Sequence, residues 1–136
     1  MFKEEILFFL LKAVRESGFD KVVKELINQG KIYIGISAGS YIACPTIEQS
    51  TWKHQDRNRF GVIDFTSLNL VPFIIVAHFE ENYRPIIEKA AKTTKYPIVA
   101  LSDTQAILVE DNKWKVVGKG NKEFFNDFKE TLITTS

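Results

Sequence analysis

A short apolar run that breaks into Gly-x-Ser-x-Gly constrains this chain more than any other feature. Residues 31–39 read KIYIGISAG. Ile32-Tyr33-Ile34 is β-branched and aromatic, the composition of a buried strand. Ser40-Tyr41-Ile42-Ala43 can continue as a helix. Strand, Gly-x-Ser-x-Gly, helix is the context that defines a nucleophile elbow. The turn is so tight that small residues are required beside the serine, and Gly35 and Gly39 supply them. Ser37 is then expected on a strained turn at the carboxyl end of the strand, with Oγ exposed. The Ala38 N–H points toward the same spot and is the candidate donor to a developing oxyanion.

The other elements build around this one. Residues 1–18 hold strong helix formers with an apolar middle and end on Gly18, so a mostly buried helix is expected. That apolar run is too short to span a bilayer. Glu4 and Glu5 precede it and no small-residue cleavage site follows, so it is also a poor signal peptide. A second helix is expected from about Asp20, as cap, to Gln29, with Gly30 ending it. Residues 45–61 read as a polar surface loop near the site. LVPFIIVA (70–77) and YPIVAL (96–101) are continuous apolar runs of buried strands, and a helix with Pro85 in its first turn fills 82–95. Residues 106–109 and 114–117 flank Glu110-Asp111-Asn112-Lys113 as a β-hairpin. Phe124, Phe125, Phe128 and Leu132 suggest the face of a last short helix.

Alternating helices and buried strands predict an α/β fold with a mostly parallel sheet. One domain accounts for 136 residues. The 18 basic and 17 acidic side chains leave a net charge of +1 and no basic stripe, which disfavours nucleic acid and anionic membrane as partners. A single cysteine, Cys44, excludes an internal disulfide framework and points to an intracellular, cytoplasmic protein with a buried structural thiol. No His/Cys/Asp cluster has metal-ligand spacing, and no cofactor is called for.

In parallel sheets, ligands collect at the carboxyl ends of strands. Ser37 and His78 both follow such strands. Imidazole is the usual base for activating a hydroxyl, so His78 is the candidate base. His54, in a polar stretch beside Lys53 and Gln55, reads as solvated. The base needs an orienting carboxylate. Asp56 and Asp64 both lie between serine and histidine, and the residues alone do not choose between them. Asp64 can equally turn the segment leading into Leu68-Asn69-Leu70.

Beyond the elbow, several blocks resemble the S51 serine peptidases, the peptidase E or α-aspartyl dipeptidase family. They are Gly35-Ile36-Ser37-Ala38-Gly39-Ser40, Ala43-Cys44-Pro45-Thr46-Ile47, Leu68-Asn69-Leu70-Val71-Pro72-Phe73, Ala77-His78-Phe79 and Leu101-Ser102-Asp103-Thr104-Gln105-Ala106. The resemblance implies a three-layer fold like class I glutamine amidotransferases, with helices on both faces of the sheet. It implies Ser37 as nucleophile, His78 as base and Asp56 as third catalytic residue, acting on small peptides with an amino-terminal aspartate. Family members carry further βα units, and a glycine-rich loop with a second oxyanion donor, ahead of the residues matching Met1 onward. The chain thus resembles the carboxyl-terminal part of such a protein. Two further expectations follow: weak or undetectable dipeptidase activity, and, from an open strand edge and an apolar patch on the first helix around 6–11, a homodimer that buries that helix or pairs sheet edges. The competing reading is a catalytically impaired remnant serving as a binding or assembly module. An α/β-hydrolase esterase is a third, for which the chain is short.

Overall fold

The computed structural model describes residues 3–52 and 64–131. The chain is mixed α/β and divides into two compact units, Met1–Pro72 and Phe73–Ser136.

The first unit is helical. Helix α1 (Lys3–Ser17) buries Leu7, Phe8, Leu11 and Val14. That spacing places them on one helical face, which packs with Val23, Ile42, Ile47 and Leu68 into the unit's core. Over residues 7–11 the apolar patch expected on α1 is therefore largely internal, and Phe9 is the exposed side chain among those five. Arg15 Nη2 donates to the carbonyls of Asp64 and Thr66, both at 2.5 Å, and ties α1 to the later segment. Helix α2 (Phe19–Asn28) begins after Gly18 at φ 79°, so the cap is the glycine, and Asp20 sits inside the first turn. Its end has Schellman geometry: Gly30 N–H bonds Ile27 O at 2.9 Å and Lys31 N–H bonds Leu26 O at 3.0 Å.

Ile32-Tyr33-Ile34, whose composition predicts a buried strand, forms no ladder here. A strand is stabilised by cross-strand pairing, and among the described residues none pairs with the backbone of Ile32 or Ile34. Ile32, Ile34 and Ile36, alternating onto one face, are 86%, 81% and 80% exposed. Tyr33, on the other face, packs against the core. Helix α3 (Ala38–Ile42) follows. Its carboxyl end is covered by the Leu-Asn-Leu block: Leu68, Asn69 and Leu70 donate to the carbonyls of Ile42, Cys44 and Ala43. The predicted surface loop after Cys44 opens as a 3₁₀ turn (Glu48–Thr51), with Ile47, Gln49 and Ser50 buried, so that part is interior.

The second unit holds the sheets. Strand β1 (Ile74–Val76) pairs in parallel with β2 (Ile98–Ala100), Ile74 opposite Ile98, and all six residues are buried. These strands are shorter than the apolar runs that contain them. Helix α4 (Arg84–Ala91) crosses between them, with Pro85 in its first turn as expected. The hairpin is present as β3 (Gln105–Glu110) and β4 (Lys113–Gly118). Asp111 and Asn112 at its tip have φ 51° and 60°, the double positive φ of a type I′ turn. The expected last helix is instead strand β5 (Glu123–Phe125), antiparallel to β2 with Phe124 opposite Val99. Two adjacent aromatics suit a strand, and β2 offers a free edge. Phe128 turns back to pack edge-on against Phe73 at 5.0 Å between ring centroids. The sheet order is β1-β2-β5, so the predicted mostly parallel sheet is one parallel and one antiparallel pair among the described residues. No described helix is long and apolar enough to cross a membrane.

Candidate functional site

In the first unit, Ser37 stands between the extended segment and α3 at φ 53°, ψ −111°. A side-chain-bearing residue reaches that region at a cost of about 1–3 kcal/mol. The turn around it closes tightly. Gly39 N–H bonds Ile36 O at 3.0 Å, and the Ser37 carbonyl accepts from Ser40 N and Tyr41 N at 2.9 and 3.2 Å. Two hydroxyls brace it: Ser40 Oγ donates to Gly35 O at 2.8 Å, and Tyr33 Oη donates to Gly39 O at 2.6 Å. Burial, and then the nearby Cys44, push the Tyr33 phenol above its ordinary range, so it is a neutral donor at physiological pH. Cys44 is buried, as expected, with Sγ 3.5 Å from Ser40 O.

The two glycines of the motif differ in purpose. A Cβ on Gly35 would lie 2.6 Å from Gly39 O, 2.7 Å from Gly39 C and 2.9 Å from Ser40 N, all backbone atoms. A Cβ on Gly39 would meet only Tyr33 Oη, at 3.9 Å. The sequence reading gave both the same reason; the packing gives it to Gly35 alone. Ala38 N–H has no acceptor among the described residues.

In the second unit, the parallel pairing of β1 and β2 sets their carboxyl ends side by side. Leu101 N–H bonds Val76 O and Phe79 N–H bonds Leu101 O, both at 2.8 Å. His78 and Asp103 emerge just past these ends, with His78 Nδ1 2.6 Å from Asp103 Oδ1. A carboxylate acceptor there favours the Nδ1–H tautomer and leaves Nε2 as the basic nitrogen. The pair is exposed, and exposed pairs contribute only about 0–1 kcal/mol to stability. The Asp103 turn is held by its neighbours. Gln105 Oε1 accepts from Ser102 N at 3.0 Å, Gln105 Nε2 donates to Asn121 O at 3.0 Å, and Thr104 Oγ1 donates to Lys119 O at 2.6 Å. Gly118, at φ 100°, lets the hairpin approach: a Cβ there would fall 2.1 Å from Thr104 O. Beside His78, Phe79 carries the Arg84 guanidinium 5.4 Å above its ring centroid. Arg84 pairs with Glu81 at 2.6 Å and Glu123 at 2.8 Å, and these carboxylates push its pKa further up.

Seven described non-glycine residues have positive φ, and five are Asn or Asp, the types that tolerate it. The other two are Ser37 and His78, the residues singled out from sequence as nucleophile and base. Backbone strain of this kind clusters at functional sites.

Of the candidate carboxylates, Asp56 lies outside the described residues, as does His54. Asp64 is a turn residue. Its Oδ1 accepts from Thr66 N at 3.0 Å and lies 3.9 Å from Arg15 Nη2, and the Thr66 bond holds its carboxyl below the usual range. Asp103 lies outside the stretch between Ser37 and His78 that holds the candidate carboxylates. Its available signal is its place two residues past the apolar run 96–101, much as His78 follows the run 70–77.

Residues 7–117 match peptidase family S51. An uncharacterized peptidase of Pasteurella multocida is 36% identical over 119 residues, covering 84% of this chain and 56% of that protein. Peptidase E of Escherichia coli is 31% identical over 121 residues, covering 84% of this chain and 49% of that protein. A crystal structure from Listeria monocytogenes, assigned to peptidase E, superposes with a TM-score of 0.70 at 28% identity, covering 84% of this chain and 56% of that one. The chain spans about half the length of these relatives.

Proposed function

The chain belongs to peptidase family S51, and from that premise we propose that it works as a serine peptidase on small peptides with an amino-terminal aspartate. The substrate comes from the α-aspartyl dipeptidase resemblance. The observation that carries the reading is the backbone of Ser37, held at φ 53°, ψ −111° in the turn that leads into α3. In the proposed reaction Ser37 Oγ attacks the scissile carbonyl carbon while His78 Nε2 takes the hydroxyl proton. The carbonyl oxygen becomes an oxyanion and accepts a hydrogen bond from Ala38 N–H. Collapse breaks the C–N bond, and the imidazolium returns the proton to the leaving amine. Water, activated by the same imidazole, hydrolyses the acyl-serine.

The orienting carboxylate is Asp103, supported by its 2.6 Å contact with His78 Nδ1. Asp56 is the residue at the position the family resemblance implies, and it is the competitor for that role. The same resemblance extends the mixed α/β fold to a three-layer, glutamine amidotransferase-like domain, and the single cysteine supports a cytoplasmic location.

A fluorophosphonate probe should label the wild type at Ser37, as read by peptide mapping, and should not label Ser37→Ala. Equal labelling of both would remove the serine from the mechanism. Aspartyl dipeptides and a simple ester then separate peptidase from esterase. A second reading, a catalytically impaired binding or assembly module, is favoured by the exposed face of Ile32, Ile34 and Ile36. It predicts no labelling together with stable complex formation.

A further inference from the structure

We propose that Tyr33 and Ser40 are positioning residues for Ser37, whose hydroxyls tie the two limbs of the elbow to each other and hold the serine in its productive backbone conformation. The proposal rests on Ser37 being the nucleophile and adds how its strained geometry is maintained.

The two bonds are reciprocal. Tyr33, before the serine, donates to the carbonyl of Gly39, after it. Ser40, after the serine, donates to the carbonyl of Gly35, before it. Each therefore spans Ser37, from opposite directions. Of the backbone bonds of the turn, Gly39 to Ile36 also crosses the serine, while Ser40 to Ser37 starts from the serine itself; the two hydroxyls reach farther along both limbs, to Tyr33 and Gly35 on one side and to Gly39 and Ser40 on the other. Strained backbone persists only where the surroundings over-determine it. Here the segment preceding the serine receives no ladder support among the described residues, and the hydroxyl braces add to the backbone closure of the turn.

Both braces are well anchored. The Tyr33 ring packs against the core of the first unit, so its Oη is delivered from a fixed platform. Ser40 lies on α3, whose later end is closed by the Leu68–Leu70 amides. Neither residue is asked to touch substrate. They act through the Gly35 and Gly39 carbonyls on the direction of Ser37 Oγ and the Ala38 N–H. A shift of the nucleophile away from its near-attack position costs rate without costing binding.

The test uses the full chain and a small fluorophosphonate, whose reaction needs the serine and oxyanion donor but no peptide subsite. Tyr33→Phe removes one hydroxyl and keeps the ring. Ser40→Ala removes the other, and Ser40→Thr retains an Oγ. For each single loss the maximal inactivation rate should fall about 5–10-fold, the rate equivalent of one net hydrogen bond. The half-saturating probe concentration should stay unchanged, and Ser40→Thr should recover most of the rate. Unchanged rates in both Tyr33→Phe and Ser40→Ala, with the wild type labelled at Ser37, would overturn the proposal. So would a fall confined to probe affinity, or one that Ser40→Thr fails to restore. A wild type that is not labelled at Ser37 would instead remove the nucleophile reading beneath it.

Discussion

Replacing Gly35 by alanine adds one methyl group at the tightest point of the elbow. That methyl would sit 2.6, 2.7 and 2.9 Å from the backbone O and C of Gly39 and the N of Ser40. Ordinary contact begins near 3.4 Å, so the overlap approaches an ångström against atoms that no rotamer change can move. Overpacking of this kind typically costs about 1–3 kcal/mol, and here relief requires opening the turn itself. Opening it also displaces the Ser37 carbonyl bonds and both hydroxyl braces. In a 60–100-residue domain a loss of about 2 kcal/mol lowers the melting midpoint by on the order of 10 °C. Gly39→Ala is the internal control, because its methyl meets only Tyr33 Oη at 3.9 Å. Gly39 lies within α3, where alanine is favoured over glycine by about 0.5–1 kcal/mol, so that variant should be neutral or slightly more stable. Thermal unfolding and the fluorophosphonate labelling rate, measured on both variants, check the pair. Gly35→Ala with wild-type stability and labelling would refute the crowding argument.

Other outcomes follow from the same geometry. Asp103→Asn should lower turnover by orders of magnitude, as His78→Ala does, because triad members act as a unit, while Asp64→Asn should leave it near wild type; a larger loss in Asp56→Asn than in Asp103→Asn, measured as kcat/KM on an aspartyl dipeptide, would return the role to Asp56. The proposed homodimer should use the exposed face of Ile32, Ile34 and Ile36, so Ile34→Lys should shift light-scattering mass toward monomer, and a wild type that stays monomeric at high concentration would count against it. The Asp64 carboxyl titrates below its ordinary value, so its stabilising contribution is present above the unfolded value near 3.8 and is lost as pH falls through the lower folded value. Wild type should therefore exceed Asp64→Asn in stability at neutral pH, by a margin that closes in acid melts below that window.

The hairpin shows what local sequence can decide. Asp111 and Asn112 tolerate positive φ, and the runs beside them pair in the register that turn imposes. The elbow was legible for a similar reason, since Gly-x-Ser-x-Gly states its own backbone requirement. The last segment was not. Phe124, Phe125 and Phe128 fit a helical stripe as well as a strand, and only the availability of the β2 edge made β5. Residues 32–34 failed in the opposite sense: their composition is that of a strand, but composition does not supply a pairing partner.

The candidate site divides along the same line. The sequence alone singled out Ser37 and His78 as candidates, because each follows an apolar run and their chemical types suit nucleophile and base. It also established membership of a peptidase family, matched over residues 7–117. That Asp103 reaches His78 is a tertiary fact. Asp103 is 25 residues away along the chain and 2.6 Å away in space, because β1 and β2 run parallel and end together. The separate duties of Gly35 and Gly39, and the braces from Tyr33 and Ser40, were likewise invisible in the letters. Such contacts depend on where a turn folds back on itself, and a one-dimensional pattern carries periodicity and residue type but not the distance between limbs.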